Sequence, residues 1–328
     1  MFEYSKARLN NIFHDAGHYL SMGNIFPNRR ALIVQKEGLG NSILTTPLVQ
    51  ALEKTGRFDL IDVLIDKNKS TDIVFKDWGL IANIFDSEDI SRIGNNLIYE
   101  YVFECHPRHE LPANIKYRHR LRIPVKPGGA IEYYWKFHKH EADYLLTMAE
   151  KLGYSGKRPP LRKLAGDRSC PIEAHANTVA IGIGYYKGVG KDWKNRHWGN
   201  ENFRSLCAKL IDMGFKPVLI GDSKDQETDG RFLETENIES LCGKLPLPKL
   251  IYFISRCAAF IGNDTGLMHA AASQNIPVIG IFVTTNSIKS YPLGDRCLAI
   301  GGDKGRKYYN IPVETVISEF KKLIDYDK

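Results

Sequence analysis

Seven consecutive residues, Asn263-Asp264-Thr265-Gly266-Leu267-Met268-His269, put a carboxylate, a hydroxyl, a glycine and an imidazole between an apolar run at 258–261 and three alanines at 270–272. Pro277 then opens a second apolar run, 278–282. Apolar run, polar turn, small-residue helix and apolar run is the pattern of a βαβ unit, whose turn lies at the carboxyl end of a parallel strand. A helix that starts there turns free backbone N–H groups and a positive dipole end toward an anion. Thr265 and His269 are four apart and share one face of that helix near the mouth of the turn. Asp264 or Thr265 can equally serve as the helix cap, and an N-capped helix in a doubly wound core accounts for this stretch without any ligand.

Two further segments have the same grammar. Residues 31–54 read as a strand, a Gly38-Leu39-Gly40 turn and a helix with Ile43, Leu44, Leu48, Ala51 and Leu52 on its apolar side. It is not a dinucleotide fingerprint, because Ile43 stands where the third glycine of GxGxxG belongs. Residues 181–203 read as a strand, a loop rich in Gly, Lys and Arg, and a helix from about Asn200. It is not a P-loop, because Tyr185 replaces the first glycine and Asp192 follows Lys191 where Ser or Thr is needed.

Taken in order, these motifs resemble glycosyltransferase family 9, the heptosyltransferase family, from about Ala31 to the end of the chain. Residues 31–52 look like the family's opening strand, its LGD turn and its TTP helix. Lys194-Asn195-Arg196-His197-Trp198 looks like the basic K-x-W signature, with Arg196 where the family usually has lysine. Residues 219–225 resemble a strand and loop ending in a carboxylate, Leu241-Cys242-Gly243-Lys244 resembles the family's l-x-G-k, and residues 263–269 are its most specific motif, intact here. The resemblance implies an α/β GT-B fold: two doubly wound, Rossmann-like domains facing across a cleft. It also implies transfer of a sugar from a nucleotide diphosphate, an ADP-linked heptose first among the candidates, with inversion and without a metal. The acceptor would be an anionic glycan or the lipopolysaccharide core. No cofactor beyond the nucleotide sugar is expected.

The same resemblance assigns roles. The leaving diphosphate gains negative charge as the glycosidic bond breaks, and that charge must be met by N–H groups, a helix dipole and basic side chains. Thr265, Gly266 and the turn before His269 would supply the first two; Arg196, with Lys187 and Lys194, the third. Arg keeps the family lysine's charge with a planar fork in place of a point donor. Asp225 matches the carboxylate that contacts the nucleoside ribose, and Asp264 the one near the donor sugar; helix capping is the competing role for both. Two departures matter. The LGD aspartate, which resembles the general base, is Asn41 here, and an amide accepts no proton at neutral pH. Glu37, in the same loop, is the first substitute, Glu104 or His106 another, and a silent nucleotide-sugar binder is the reading in which no base exists. Residues Phe282-Val283-Thr284 lack the glycine that usually follows the aromatic, in a loop expected to line the donor pocket.

Composition sets limits. With 328 residues, 43% hydrophobic and 25% charged, the chain is of globular type and long enough for two domains. No run reaches the ~18 apolar residues of a membrane span, and no secretory leader is visible. Six scattered cysteines without CxxC fit a reduced, cytoplasmic protein; peripheral contact with the inner membrane surface stays open. The net charge of +7 is uneven. Arg108, Lys116, Arg118, Arg120, Arg122 and Lys126 crowd residues 106–126, followed by Lys136, His138, Lys139 and His140. A charge run is as often a solvated face as a site; as a site it would hold an anionic acceptor, with Arg118, Arg120 and Arg122 as the leading contacts. No nucleic-acid module is present. His106 and His109 beside Cys105 lack a second cluster to complete a metal site.

The elements that must position these groups alternate as strand and helix. Expected strands lie at 31–35, 61–65, 81–85, 97–103, 179–184, 216–221, 238–241, 258–262 and 278–282. Expected helices lie at 4–20, 141–152, 200–213, 225–233, 248–255, 266–273 and 313–324. A Gly/Pro-rich stretch, 153–170, reads as linker, placing an acceptor domain at 1–165 and a donor domain at 166–328.

Overall fold

The computed structural model describes residues 29–66, 70–86, 88–89, 97–106, 111–122, 139–185, 196–302 and 310–325. The expected helix at 4–20, Lys187 and Lys194, and Arg108, His109, Lys126, Lys136 and His138 lie outside these residues.

The first sheet holds β1 (Arg30–Val34), β2 (Leu60–Leu64), β3 (Ile81–Phe85), β4 (Ile98–Glu104) and β5 (Lys116–Arg122), ordered β3-β2-β1-β4-β5. The second holds β6 (Thr178–Gly182), β7 (Lys216–Ile220), β8 (Glu239–Ser240), β9 (Ala259–Asn263), β10 (Val278–Phe282) and β11 (Cys297–Gly301), ordered β11-β10-β9-β6-β7-β8. Every pairing is parallel. Central strands such as TVAIG and VIGIF are buried at every position, as parallel strands covered on both faces must be. In each sheet the chain builds outward on one side, then returns to the middle and builds on the other. The order therefore reverses between β1 and β4 and between β6 and β9, which are the crevices where open α/β sheets take ligands.

Two edge strands escape sequence reasoning. β5 reads KYRHRLR, a charge run by composition. Its charged residues are the exposed half of a period-two alternation, while Tyr117, His119 and Leu121 turn inward. His119 stacks on Tyr101 with ring centres 4.5 Å apart. β11 is nowhere fully buried, so it carries little apolar signal.

Among the described residues the helices are α1 (Leu39–Lys54), α2 (Asp72–Phe75), α3 (Glu141–Glu150), α4 (Asn200–Asp212), α5 (Ser223–Asp225, continued by a π turn over Gln226–Gly230 and a last turn at Arg231–Leu233), α6 (Leu247–Ser255), α7 (Gly266–Ser273), α8 (Ser287–Ser290) and α9 (Val313–Asp325). Pro47 sits inside α1 and has no N–H to offer the carbonyl of Ile43. The Thr46 hydroxyl donates to that carbonyl at 2.8 Å, and the preceding Thr45 hydroxyl donates to the Asn41 carbonyl at 2.9 Å. The Thr-Thr-Pro run thus repairs its own helix.

The expected linker is a packed strap. Gln50 donates to the Pro160 carbonyl at 2.7 Å, and the Arg162 amide donates to Thr46 Oγ1 at 3.0 Å. The Arg162 guanidinium donates to the carbonyls of Val74, Lys76 and Asp77 and lies over the Trp78 ring. Toward the second sheet, Gln274 donates to the Leu164 carbonyl and the Asp167 amide to that of Pro248. Leu164 is 2% exposed. Glycine and proline here signal a turn-rich path, not slack.

Thr46→Val keeps the shape of the side chain but orphans the buried Ile43 carbonyl and the half-buried Arg162 amide. We expect a loss of about 1–3 kcal/mol in urea unfolding, whereas Thr55→Val, at the exposed end of α1, should cost less.

Candidate functional site

Both crevices open toward each other because α1 and α7 meet at their N-termini. A methyl group on Gly40 would lie 2.8 Å from His269 Cδ2, and one on Gly266 would lie 2.9 Å from Leu39 Cβ and 3.1 Å from the Gly40 amide. Glycine is required at both positions for the helices to approach this closely. Thr265 is the N-cap of α7, yet its side chain makes no capping bond, so the expected side-chain cap by Thr265 is not formed.

On the side of the second sheet, Asn263 is fully buried and ties the crevice together. Its Oδ1 accepts from the Trp198 amide at 3.2 Å, and its Nδ2 donates to the carbonyls of Ile183 and Gly184 at 3.0 and 3.1 Å. Trp198 in turn is core: its indole donates to the Ile311 carbonyl and it packs edge-on against Phe203. The motif residue two positions back, Arg196, is thereby brought within electrostatic reach of the half-buried Asp264. Burial raises the Asp264 carboxyl above its ordinary value; Arg196, a hydrogen bond with Thr285 and then Lys289 oppose the rise, and Glu141 adds to it. Five groups from both halves of the molecule therefore share one field.

Asp225 stands at the ends of β6 and β7, close against the backbone at Gly184 and Gly221. It is the third helical residue of a capping box: its Oδ2 accepts from the Asp222 amide at 2.9 Å, while Asp222 Oδ1 accepts from the Asp225 amide at 2.8 Å. The N-cap is Asp222, so Asp225 serves the capping box from its third helical position rather than as the cap itself.

On the side of the first sheet, Asn41 lies in the first turn of α1, and its Nδ2 donates at 2.7 Å to Oε1 of Glu141. Glu141, in the first turn of α3, is 2% exposed. Its other oxygen lies 3.6 Å from Nζ of Lys289, on α8 beyond β10. Glu141, Lys289 and Thr285 are site residues that sequence reasoning did not single out, and Asn263 enters it only as part of its motif. Glu141 reads as an ordinary acidic residue favouring the start of a helix; only tertiary packing shows that it is buried against residue 41.

The other expected groups divide. Glu37 pairs with His106, Oε1 to Nδ1 3.4 Å, so two of the substitute bases are neighbours. Glu104 is fully buried; it accepts from Arg120 Nη2 at 2.6 Å and from Arg122 Nε. Arg120 and Arg122 thus answer a carboxylate of this chain. Arg118 shares their exposed face of β5. His269 is buried at the α1–α7 contact with its Nδ1 unpaired, a packing position beside Gly40. No cluster of potential metal ligands occurs among the described residues.

Residues 187–310 match the family model described as glycosyltransferase family 9 (heptosyltransferase). Over 111 residues the chain is 31% identical to lipopolysaccharide heptosyltransferase 2 of Escherichia coli, covering 32% of this chain and 32% of that protein. Lipooligosaccharide heptosyltransferase 2 of Haemophilus ducreyi is 27% identical over 165 residues, 48% of this chain and 44% of its own. The matched stretches span less than half the length of these relatives. Among solved structures, a glycosyl transferase family 9 protein from Veillonella parvula superposes with a TM-score of 0.72 at 19% identity, over 91% of this chain and 97% of that one. The Escherichia coli ADP-heptose heptosyltransferase II superposes with a TM-score of 0.69 at 18% identity, over 91% and 99%. The fold is GT-B.

The helix-start cluster makes the protein acid-sensitive. His140 Nδ1 accepts from the Ala142 amide at 3.1 Å, so its proton sits on Nε2, 3.0 Å from the Tyr291 carbonyl that accepts it. Burial first, then Arg158 and Lys289, lower it to about 4 against the Tyr291 bond; burial and His140 lower His269 to about 3. Both values lie below that of an unfolded histidine. The unfolded chain therefore binds more protons, and stability, complete above about pH 6.5, is lost as pH falls toward 4. The His140 share is on the order of 3 kcal/mol. Urea unfolding between pH 7 and 4.5 should show this decline, and His140→Gln should flatten it.

Proposed function

We propose that this chain, which carries a glycosyltransferase family 9 domain, moves a sugar from a nucleotide diphosphate to an anionic glycan of the lipopolysaccharide-core type. The donor in this reading is an ADP-linked heptose, transferred with inversion and without a metal ion. The observation that carries it is the charge of Arg196 acting on Asp264 at the start of α7, whose N-cap side chain makes no capping bond to the first-turn amides.

The chemistry follows from that arrangement. A leaving diphosphate between Arg196 and the α7 N-terminus would have its growing charge met by a guanidinium fork and a helix dipole, both fixed before the reaction. Lys187 and Lys194, close in sequence to Arg196, extend the same role. Asp225 would receive the nucleoside ribose hydroxyls at the mouth of β6 and β7. Asp264 would face the donor sugar, and through its hydrogen bond with Thr285 the Phe282-Val283-Thr284 loop would border the pocket and bear on sugar choice. The names of the relatives, lipopolysaccharide and ADP-heptose transferases, support the acceptor and donor classes. No described helix is long and apolar enough to cross a membrane; a glycolipid acceptor would be met in the cytoplasm at the inner membrane surface, with Arg118 on the approach.

Arg196→Ala should weaken ADP-heptose binding by calorimetry about 10- to 100-fold, the worth of one charged hydrogen-bonding group, while melting remains within a few degrees of wild type. Unchanged affinity would remove the donor site from this crevice. A protein that binds ADP-heptose but releases no ADP with any core acceptor would be the silent binder.

Arg118→Glu should raise KM for a phosphorylated lipopolysaccharide core and spare donor affinity. The wild-type KM should also rise with salt, since exposed charges are screened beyond ~8 Å. Reversing Arg120 or Arg122 instead sets a like charge against buried Glu104 and should destabilise the fold. If Arg118→Glu and salt both leave KM unchanged, β5 is a solvated face.

A further inference from the structure

An inverting transfer needs a group that takes the acceptor proton, and the first sheet offers three carboxylates near its switch point. Glu104 is clamped by two arginines, which occupy both of its oxygens. Glu37 is engaged by His106. Glu141 is held differently. One oxygen accepts an uncharged amide hydrogen from Asn41 at 2.7 Å, and the other faces a lysine at 3.6 Å that belongs to the opposite half of the molecule. A carboxylate oxygen therefore lies within one hydrogen bond of the end of residue 41, although residue 41 itself has none.

Resting on the transferase reading above, we propose that Glu141 is the general base for the acceptor hydroxyl, with its carboxylate and the amide of Asn41 acting as one exchangeable pair. Lys289 lies over Glu141, 3.6 Å from its second oxygen. The same lysine lies within the field of Asp264, so an incoming diphosphate competes for it and uncovers Glu141 as the donor arrives. The acceptor O–H then gives its proton to Glu141. The freed oxygen pair forms the bond to the anomeric carbon, the bond from that carbon to the diphosphate oxygen breaks, and its electron pair leaves with the nucleoside diphosphate beside Arg196. The proton passes from Glu141 to solvent after the product departs. Asn41 keeps its hydrogen on the carboxylate throughout and orients it.

Glu141→Gln preserves size and can still accept from Asn41. It should lower kcat for ADP release, with ADP-heptose as donor and lipopolysaccharide core as acceptor, by ~10²–10⁴-fold. Its affinity for ADP-heptose should be equal or tighter, because Lys289 loses its competing partner. Asn41→Asp alone sets two carboxylates against each other and should not accelerate the wild type. The exchanged double variant, Asn41→Asp with Glu141→Gln, restores one carboxylate and one amide and should recover much of the lost kcat. It also covers the case in which Glu141→Gln alone does not fold. A folded Glu141→Gln protein that turns over at the wild-type rate overturns the proposal, as does a folded double variant no faster than Glu141→Gln. Failure of the wild type to bind ADP-heptose is a separate result, and it would sink the transferase reading itself.

Discussion

Two helix N-termini, those of α1 and α7, are brought so close that neither Gly40 nor Gly266 has room for a methyl group. Both helices point the positive ends of their dipoles into the seam. Like partial charges facing each other are favourable only if something negative lies between them. That role falls to the Glu141 and Asp264 carboxylates, which approach from either side. The two switch points open onto this seam. Arg196 and Lys289 bring positive charge to it.

The crevice is organised by partners of graded strength. Glu104 has two arginines, Glu141 an amide and a lysine, Asp225 a backbone amide, and Asp264 an arginine together with a hydroxyl. A carboxylate with both oxygens held by guanidinium groups is a structural anchor, whereas Glu141 gives one oxygen to an amide and turns the other toward a lysine. Asn263 and Trp198 spend their polar atoms on backbone groups; they set positions and leave charge to their neighbours in sequence.

Much of this was legible in the chain. Continuous apolar runs such as VIGIF reveal buried parallel strands, and the small-residue turn at residues 263–269 locates the second switch point. The glycines of the first turn do the same for α1. Local pattern fails where the signal is tertiary. β5 hides as a charge run because its inward face is Tyr, His and Leu rather than aliphatic. Glu141 looks like any helix-start acid, since its significance lies in residues 100 and 148 positions away. The strap at 153–170 contains the glycines and prolines of a flexible joint, and only its Arg162 and Gln50 contacts show that it is fixed.

That strap bears on how the molecule comes apart. Ile251 and Ala270, carried by the second sheet's helices, belong to the same apolar cluster as Ile33, Leu48 and Phe103 of the first, and Leu164 of the strap joins them. Each sheet also has apolar clusters of its own, around Phe203 and Ile281 in the second and around Leu32 and Val102 in the first, but this one is shared. Severing the chain within the strap would leave each half with apolar surface uncovered along that shared cluster. Melting should therefore couple the two halves, which are lost together.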